Sequence, residues 1–153
     1  MFKRIAAVAA VLPVSALLVS AGIPAAWAQD ALPAGFKTQA LLKTGLTRDN
    51  EPIIYPKSGK AEIISVVGTI EPGGRTPLHE HPVPVYVYIV EGELELQTAG
   101  EKPHVYKAGE AYIEALNRKH QAFNKGTSPT KILVVFVGEE GKPTTVTAKS
   151  ASR

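Results

Sequence analysis

Four side chains in this sequence are of types that do chemistry together: His79, His81, His120 and Glu114. His79 and His81 are separated by one residue and lead into a β-branched, aromatic run at 85–90. On an extended strand, side chains two apart point to the same face, so the pair can aim both imidazoles at one point in space. Imidazole suits zinc, copper, iron and nickel, and a third ligand from elsewhere in the fold, for which His120 is the candidate, completes an open, reactive site. The bland alternative is a pair of histidines on an exposed strand face that holds no metal.

Glu114 lies on a run in which Tyr112 and Glu114 share a face. A glutamate amid apolar residues is unexpected unless something offsets its burial. Two placements are open. Pointing inward, it can ligate a metal, act as a general base with a raised pKa, or accept a proton from a ligand imidazole; at a strand end it faces solvent. Val85, Val87 and Ile89 share the parity of the two histidines, provided Pro82 and Pro84 introduce no bulge, and with Tyr112 they are the candidate pocket lining. Simple barrel filling is their plainer role. Tyr86 and Tyr88 then face outward, under another segment or at a dimer interface. His104 follows Pro103 beside a glycine turn, has no partner at ligand spacing, and reads as a solvated hairpin histidine.

These residues need elements to position them. Short apolar runs at 61–71, 79–90, 93–98, 104–107, 110–114, 120–124 and 131–137 alternate with glycine-bearing turn signals around 72–74, 91–92, 99–100, 108–109 and 126–129. Strands this short and this regularly punctuated predict an all-β barrel or sandwich, with no segment long and periodic enough for a helix. Residues 29–60 form a lead-in, where Pro52 and Pro56 bracket Ile53, Ile54 and Tyr55. Prolines at both ends suit an edge or cover strand packed outside the main sheet. The barrel is expected over 61–141, and 142–153, rich in Thr, Ser, Ala and Lys, as a mobile tail.

The chain opens with Lys3 and Arg4, an apolar run over 5–23 and Ala26-Trp27-Ala28, the pattern of a signal peptide cleaved after Ala28. Pro13, Gly22 and Pro24 argue against the alternative, a membrane anchor. Export across the inner membrane to the periplasm is therefore expected. The full chain has 17 Lys and Arg against 14 Asp and Glu, but the leader takes two cations and no acid, leaving a net charge of +1. The basic pI thus carries no argument for nucleic acid. The remaining 125 of 153 residues suffice for one domain. With no cysteine, any metal must be held by nitrogen and oxygen. No Gly-x-Ser-x-Gly elbow, phosphate loop or dinucleotide fingerprint is present.

The motif residues resemble those of the cupin superfamily. Gly73, His79, His81 and Gly92 fall on its first motif, with Val85 at the glutamate position. Gly109, His120 and Asn124 fall on its second, with Ala115 and Asn117 at the proline and glycine positions. The likeness runs from about 62 to 137. It implies a jelly-roll-like β-barrel in which His79, His81 and His120 ligate one divalent transition metal (iron, nickel, copper, manganese or zinc), with Val85 in place of the acidic ligand and Asn124 in a structural role. Cupins include oxygenases, isomerases, decarboxylases and storage proteins, so fold alone does not decide activity. The expectation is an exported, metal-dependent oxidoreductase of dioxygenase type acting on a small oxygen-bearing molecule, as a homodimer. A non-catalytic periplasmic cupin that binds a small ligand or metal is the alternative.

Overall fold

The computed structural model describes residues 38–57 and 59–147. The leader expected at 1–28 lies outside the described residues, as do the start of the lead-in and positions 148–153. The described chain forms strands β1 Ala61–Ile70, β2 His79–Glu80, β3 Val85–Glu91, β4 Glu93–Thr98, β5 His104–Lys107, β6 Ala111–Ile113, β7 His120–Phe123, β8 Thr130–Glu139 and β9 Val146–Thr147, with no helix. They make a four-stranded sheet in the order β1-β8-β3-β6 and a five-stranded sheet in the order β5-β4-β7-β2-β9. Every pairing within the two sheets is antiparallel.

The period-two pattern of β3 shows why the sheets face each other. Val85, Val87 and Ile89 are 0–3% exposed, whereas Tyr86 and Tyr88 between them are half-buried on the outer face. Leu94 and Leu96 of β4 alternate in the same way with Glu95 and Gln97. The core forms where Val85, Val87, Ile89 and Ile132 of the first sheet meet Leu94, Leu96 and Ala122 of the second. Each large side chain buried there contributes about 1.5–3 kcal/mol of transfer free energy. Between β3 and β4 the chain changes sheets in one residue, Gly92, at φ +79. A Cβ there would meet the Pro129 carbonyl oxygen at 3.0 Å, so the corner requires glycine.

Asn124 ties the loops at one end of the barrel. Fully buried, its side-chain amide donates to the Ile70 and Ser128 carbonyls at 2.8 Å each, and its Oδ1 accepts from Gly126 N at 2.9 Å.

Three sequence expectations change. The run 79–90 is interrupted: Pro82 and Pro84 supply no N–H, and the ladder breaks between β2 and β3. Inward parity nevertheless resumes at Val85. The expected cover strand at 52–56 does not form a ladder; Leu46 and Pro52 make one isolated bridge around a turn through Asn50, at φ 61. The expected tail beginning at 142 is ordered at least to Thr147, because β9 pairs with β2 at His79↔Thr147 and Glu80↔Val146.

Candidate metal centre

His79 on β2 and His120 on β7 are direct cross-strand neighbours, and His81, just past β2, bridges to Leu116. The three rings form a triangle with centroid separations of 4.8, 4.4 and 5.1 Å. One ring nitrogen from each lies within 4.8 Å of the others.

The second nitrogen of each ring decides what the first can do. His79 Nδ1 lies 2.7 Å from the Pro77 carbonyl, His81 Nδ1 2.9 Å from that of Thr144, and His120 Nδ1 2.8 Å from that of Arg118. A carbonyl only accepts, so Nδ1 carries the proton in all three and Nε2 carries the lone pair. Burial holds all three imidazoles below the usual histidine pKa, His81 down to about 4, and so keeps them neutral at pH 7. His120 Nε2 is buried without a hydrogen-bond partner. Three neutral rings of fixed tautomer, with a buried lone pair left unsatisfied, are what a divalent transition metal requires of nitrogen donors. The residues fit the metal.

Glu114 points inward. It follows β6, is 5% exposed, and its Oε1 lies 3.5 Å from His120 Nε2. The Tyr112 hydroxyl donates to that same oxygen at 3.2 Å, while Oε2 is buried without a partner. Burial pushes the Glu114 pKa up to about 7, with the Tyr112 hydrogen bond opposing the shift. The Tyr112 hydroxyl is itself pushed well above its usual range by burial and by the Glu114 charge. Tyr106 stacks on Tyr112 at 3.9 Å and 12°, fixing its ring.

These groups open onto a cavity of about 230 Å³ lined by Val85, Val87 and Tyr112 together with Leu94, Ile132, Val134 and Phe136. Phe136 meets the His81 ring edge-on at 5.5 Å. Ile89, expected in the lining, is fully buried but does not line the cavity. It sits four residues along β3 from Val85, roughly 13 Å at the strand rise, and fills the core instead. A larger hollow of about 440 Å³ near Tyr55, Pro82 and Lys142 has no histidine in its walls and lies apart from this chemistry. His104 is exposed at the start of β5, with its ring against Tyr106.

The contribution of β8 was not assigned from sequence: its alternation marks Ile132, Val134 and Phe136 as one face, but not which face. The carbonyls of Pro77, Arg118 and Thr144 leave no side-chain signal at all.

The family model described as "Cupin domain" matches residues 66–136, which span both motif regions and all three histidines. Residues 66–136 are a cupin domain. Among solved structures, this cupin is similar to the DMSP lyase DddQ from Ruegeria pomeroyi DSS-3, at 21% identity and a TM-score of 0.51, over 60% of this chain and 45% of that one. It is similar also to an uncharacterized conserved protein with a double-stranded β-helix domain from Klebsiella pneumoniae (21% identity, TM-score 0.49, 63% of this chain and 91% of that one). A third similar structure is an oxalate decarboxylase from Lactobacillus farciminis (23% identity, TM-score 0.48, 56% and 26%). The chain spans less than half the length of the lyase and about a quarter of the decarboxylase. At these identities the likeness concerns the fold. Among curated proteins no relative matches the sequence.

Asn117 stands where the cupin pattern has glycine, and it adopts φ 54. Asparagine is among the few non-glycine residues that enter this left-handed region readily.

Proposed function

We propose that this protein is an exported, metal-dependent enzyme of the periplasm in which His79, His81 and His120 hold one divalent transition metal beside Glu114. The substrate is a small oxygen-bearing molecule. The observation that carries the reading is the convergence of three imidazoles whose Nδ1 atoms are all engaged by carbonyls, next to a buried carboxyl whose pKa is about 7.

Bound there, the metal supplies Lewis acidity and, if it is iron, nickel, copper or manganese, one-electron chemistry with dioxygen; zinc would supply the first alone. The chain's own residues do the rest. Glu114, its pKa raised by burial, accepts a proton from the substrate at Oε2 while the Tyr112 hydroxyl holds Oε1. Val85, Val87, Val134 and Phe136 hold the substrate's apolar part and exclude water. At about 230 Å³ the cavity falls below the ~300 Å³ where ordinary ligand sites begin, which favours a compact acid, diketone or phenol.

Dioxygenase-type oxidation is the first reaction class. The position of Glu114 favours a second, proton transfer without oxygen, as in isomerisation or hydrolysis. The test is to identify the metal by elemental analysis of protein purified from the periplasm without a histidine tag, then follow oxygen uptake and product formation with small diketones, thiols and phenolic acids. Oxygen consumed in step with product supports oxidation; product without oxygen, lost in Glu114→Gln with metal retained, supports the second. A co-purifying ligand recovered unchanged, with no turnover across the screen, would leave a binding protein.

We also propose a homodimer. Val67, Leu133 and Tyr88 are in register across β1, β8 and β3, and Val135, Tyr86 and Ile113 across β8, β3 and β6, giving the outer face of this sheet an apolar stripe suited to a second copy. Light scattering on the parent and on Val67→Lys tests it, with a monomeric variant expected.

A further inference from the structure

The carbonyl that orients His120 belongs to Arg118, in the turn between β6 and β7, and a carbonyl orients a ring only as well as its own peptide is held. On the barrel side, Asn117 N donates to the His81 carbonyl at 2.8 Å, so this one turn touches two of the three histidine positions. On the other side it is held by charge. The Arg118 guanidinium spans two carboxylates, with Nη1 2.6 Å from Asp49 Oδ2 and Nη2 2.5 Å from Glu101 Oε1. Asp49 comes from the lead-in, far in sequence from every motif residue. Its side chain is only 7% exposed, and its other oxygen accepts from Arg48 Nη1 at 2.8 Å.

Arg48 closes the ring of charges. It reaches Glu101 Oε2 at 3.2 Å and donates to Thr98 Oγ1 at 3.2 Å, and Thr98 is the cross-strand neighbour of His120. Its backbone N–H donates to the Ile113 carbonyl at 2.8 Å, one residue before Glu114. Two guanidiniums and two carboxylates thus balance each other around the peptide that aims His120. A guanidinium held by two carboxylates has a fixed plane, which a lysine or a single pair would not give.

We propose that Asp49 is a positioning residue of the metal centre: from the lead-in it holds the Arg118 side chain, and through the Arg118 peptide it fixes the Nδ1–H bond that turns His120 Nε2 toward the metal. The proposal rests on the three-histidine reading of the metal site. The lead-in is then part of the site, and the orienting device reaches His120 but not His79, whose partner carbonyl belongs to Pro77, outside the ring of charges.

The test compares the full-length parent with Asp49→Asn, which turns an NH₂ toward a guanidinium at nearly constant shape, and Arg118→Gln, which frees the turn while leaving the buried Arg48–Asp49 pair intact. Lys107→Gln, at an exposed ion pair, is the control. Cobalt(II) is the probe. Its affinity is read by chelator competition and its geometry by visible absorption, and imidazole ¹⁵N spectra of the metal-free proteins read each histidine's tautomer. Both variants are expected to weaken cobalt binding about 10–100-fold and to change the absorption bands. His120 should lose its single Nδ1–H tautomer while His79 keeps it, and the control should match the parent. Unchanged affinity, bands and tautomer in the folded variants would overturn the proposal. If the parent binds no cobalt, the metal reading falls and the His120 tautomer in metal-free protein decides alone. If Asp49→Asn does not fold, Arg118→Gln decides, because its side chain is partly exposed and its loss leaves no buried charge unpaired.

Discussion

The cavity has two unlike walls. From the five-stranded sheet and the residue following β2 come His79, His81 and His120, beside the apolar Leu94 and Ala122; from the four-stranded sheet come Val85, Val87, Ile132, Val134 and Phe136. The apolar wall follows directly from strand alternation and stabilises the fold whatever it contacts. The polar wall works against stability: each imidazole must stay neutral at a cost in proton affinity, and His120 Nε2 is left without a partner. Glu114 crosses this division, arriving from the end of β6 in the apolar sheet to stand against His120. The contrast separates residues that hold the barrel together from residues that equip it, and substitutions on the two sides should fail in different ways.

The largest expected effect is on metal content. His79→Ala and His120→Ala should each abolish retention of metal, measured by elemental analysis, while the metal-free proteins still melt cooperatively; in His120→Ala the unpartnered buried Nε2 leaves with the ring, which offsets part of the packing lost. Metal retained in both variants would erase the distinction between the walls. Ile89→Ala should do the reverse. It leaves a hole in the core beyond the cavity and should cost about 2–5 kcal/mol by urea denaturation, with metal per folded molecule unchanged.

Glu114 gives an effect of comparable size that depends on pH. Its pKa is about 7 in the folded protein against 4.5 unfolded. The folded state therefore binds the proton more tightly, and Glu114's contribution to stability is complete below pH 4.5 and lost as pH rises through about 7. The lowered histidine pKa values act in the opposite direction, and among them the Glu114 charge bears on His79, whose pKa it raises. In metal-free protein, Glu114→Gln should accordingly gain on the parent as pH rises from 4.5 to beyond 7, by up to about 3 kcal/mol. A constant difference across that range would mean that Glu114 is not buried as a neutral acid. The smallest effect belongs to neither wall: Lys131→Ala removes an exposed pair with Glu91, 2.9 Å apart, and should cost less than about 1 kcal/mol.

The all-β class and the cupin resemblance were legible in the sequence because both are written in spacing. Glycine turns fix where strands end, and alternation fixes which side chains of β3 and β4 face inward. The two-residue interval of His79 and His81 does bring both rings against His120, although the run that carries them is broken at Pro82 and Pro84, within the first motif. Less could be read where geometry depends on chain direction after a turn. Glu114 sits one residue past β6, yet its N–H still donates to the Val85 carbonyl at 2.9 Å, which carries the parity of Tyr112 on to it; how far the pairing with β3 runs is not written in the spacing. Ile89 has the right parity but the wrong depth, a quantity alternation does not encode. The pairing of β9 with β2 involves two residues in a Thr-rich segment that resembles a solvated tail in composition, and β2 together with the His81 ring on the Thr144 carbonyl gives it order.

The orienting groups of all three imidazoles are main-chain carbonyls, which every amino acid possesses. No substitution at positions 77, 118 or 144 deletes the acceptor itself, so at 77 and 144 the choice of tautomer is shielded from point mutation, whereas at 118 it also depends on the side chain that anchors the peptide. It can be altered only by displacing the chain. Lineages that keep the loop paths should thus be free to vary the side chains at 77 and 144 while retaining identical donor nitrogens, with 118 held to arginine by its two carboxylates, and insertions or deletions in those three loops should be the rarest changes the barrel tolerates.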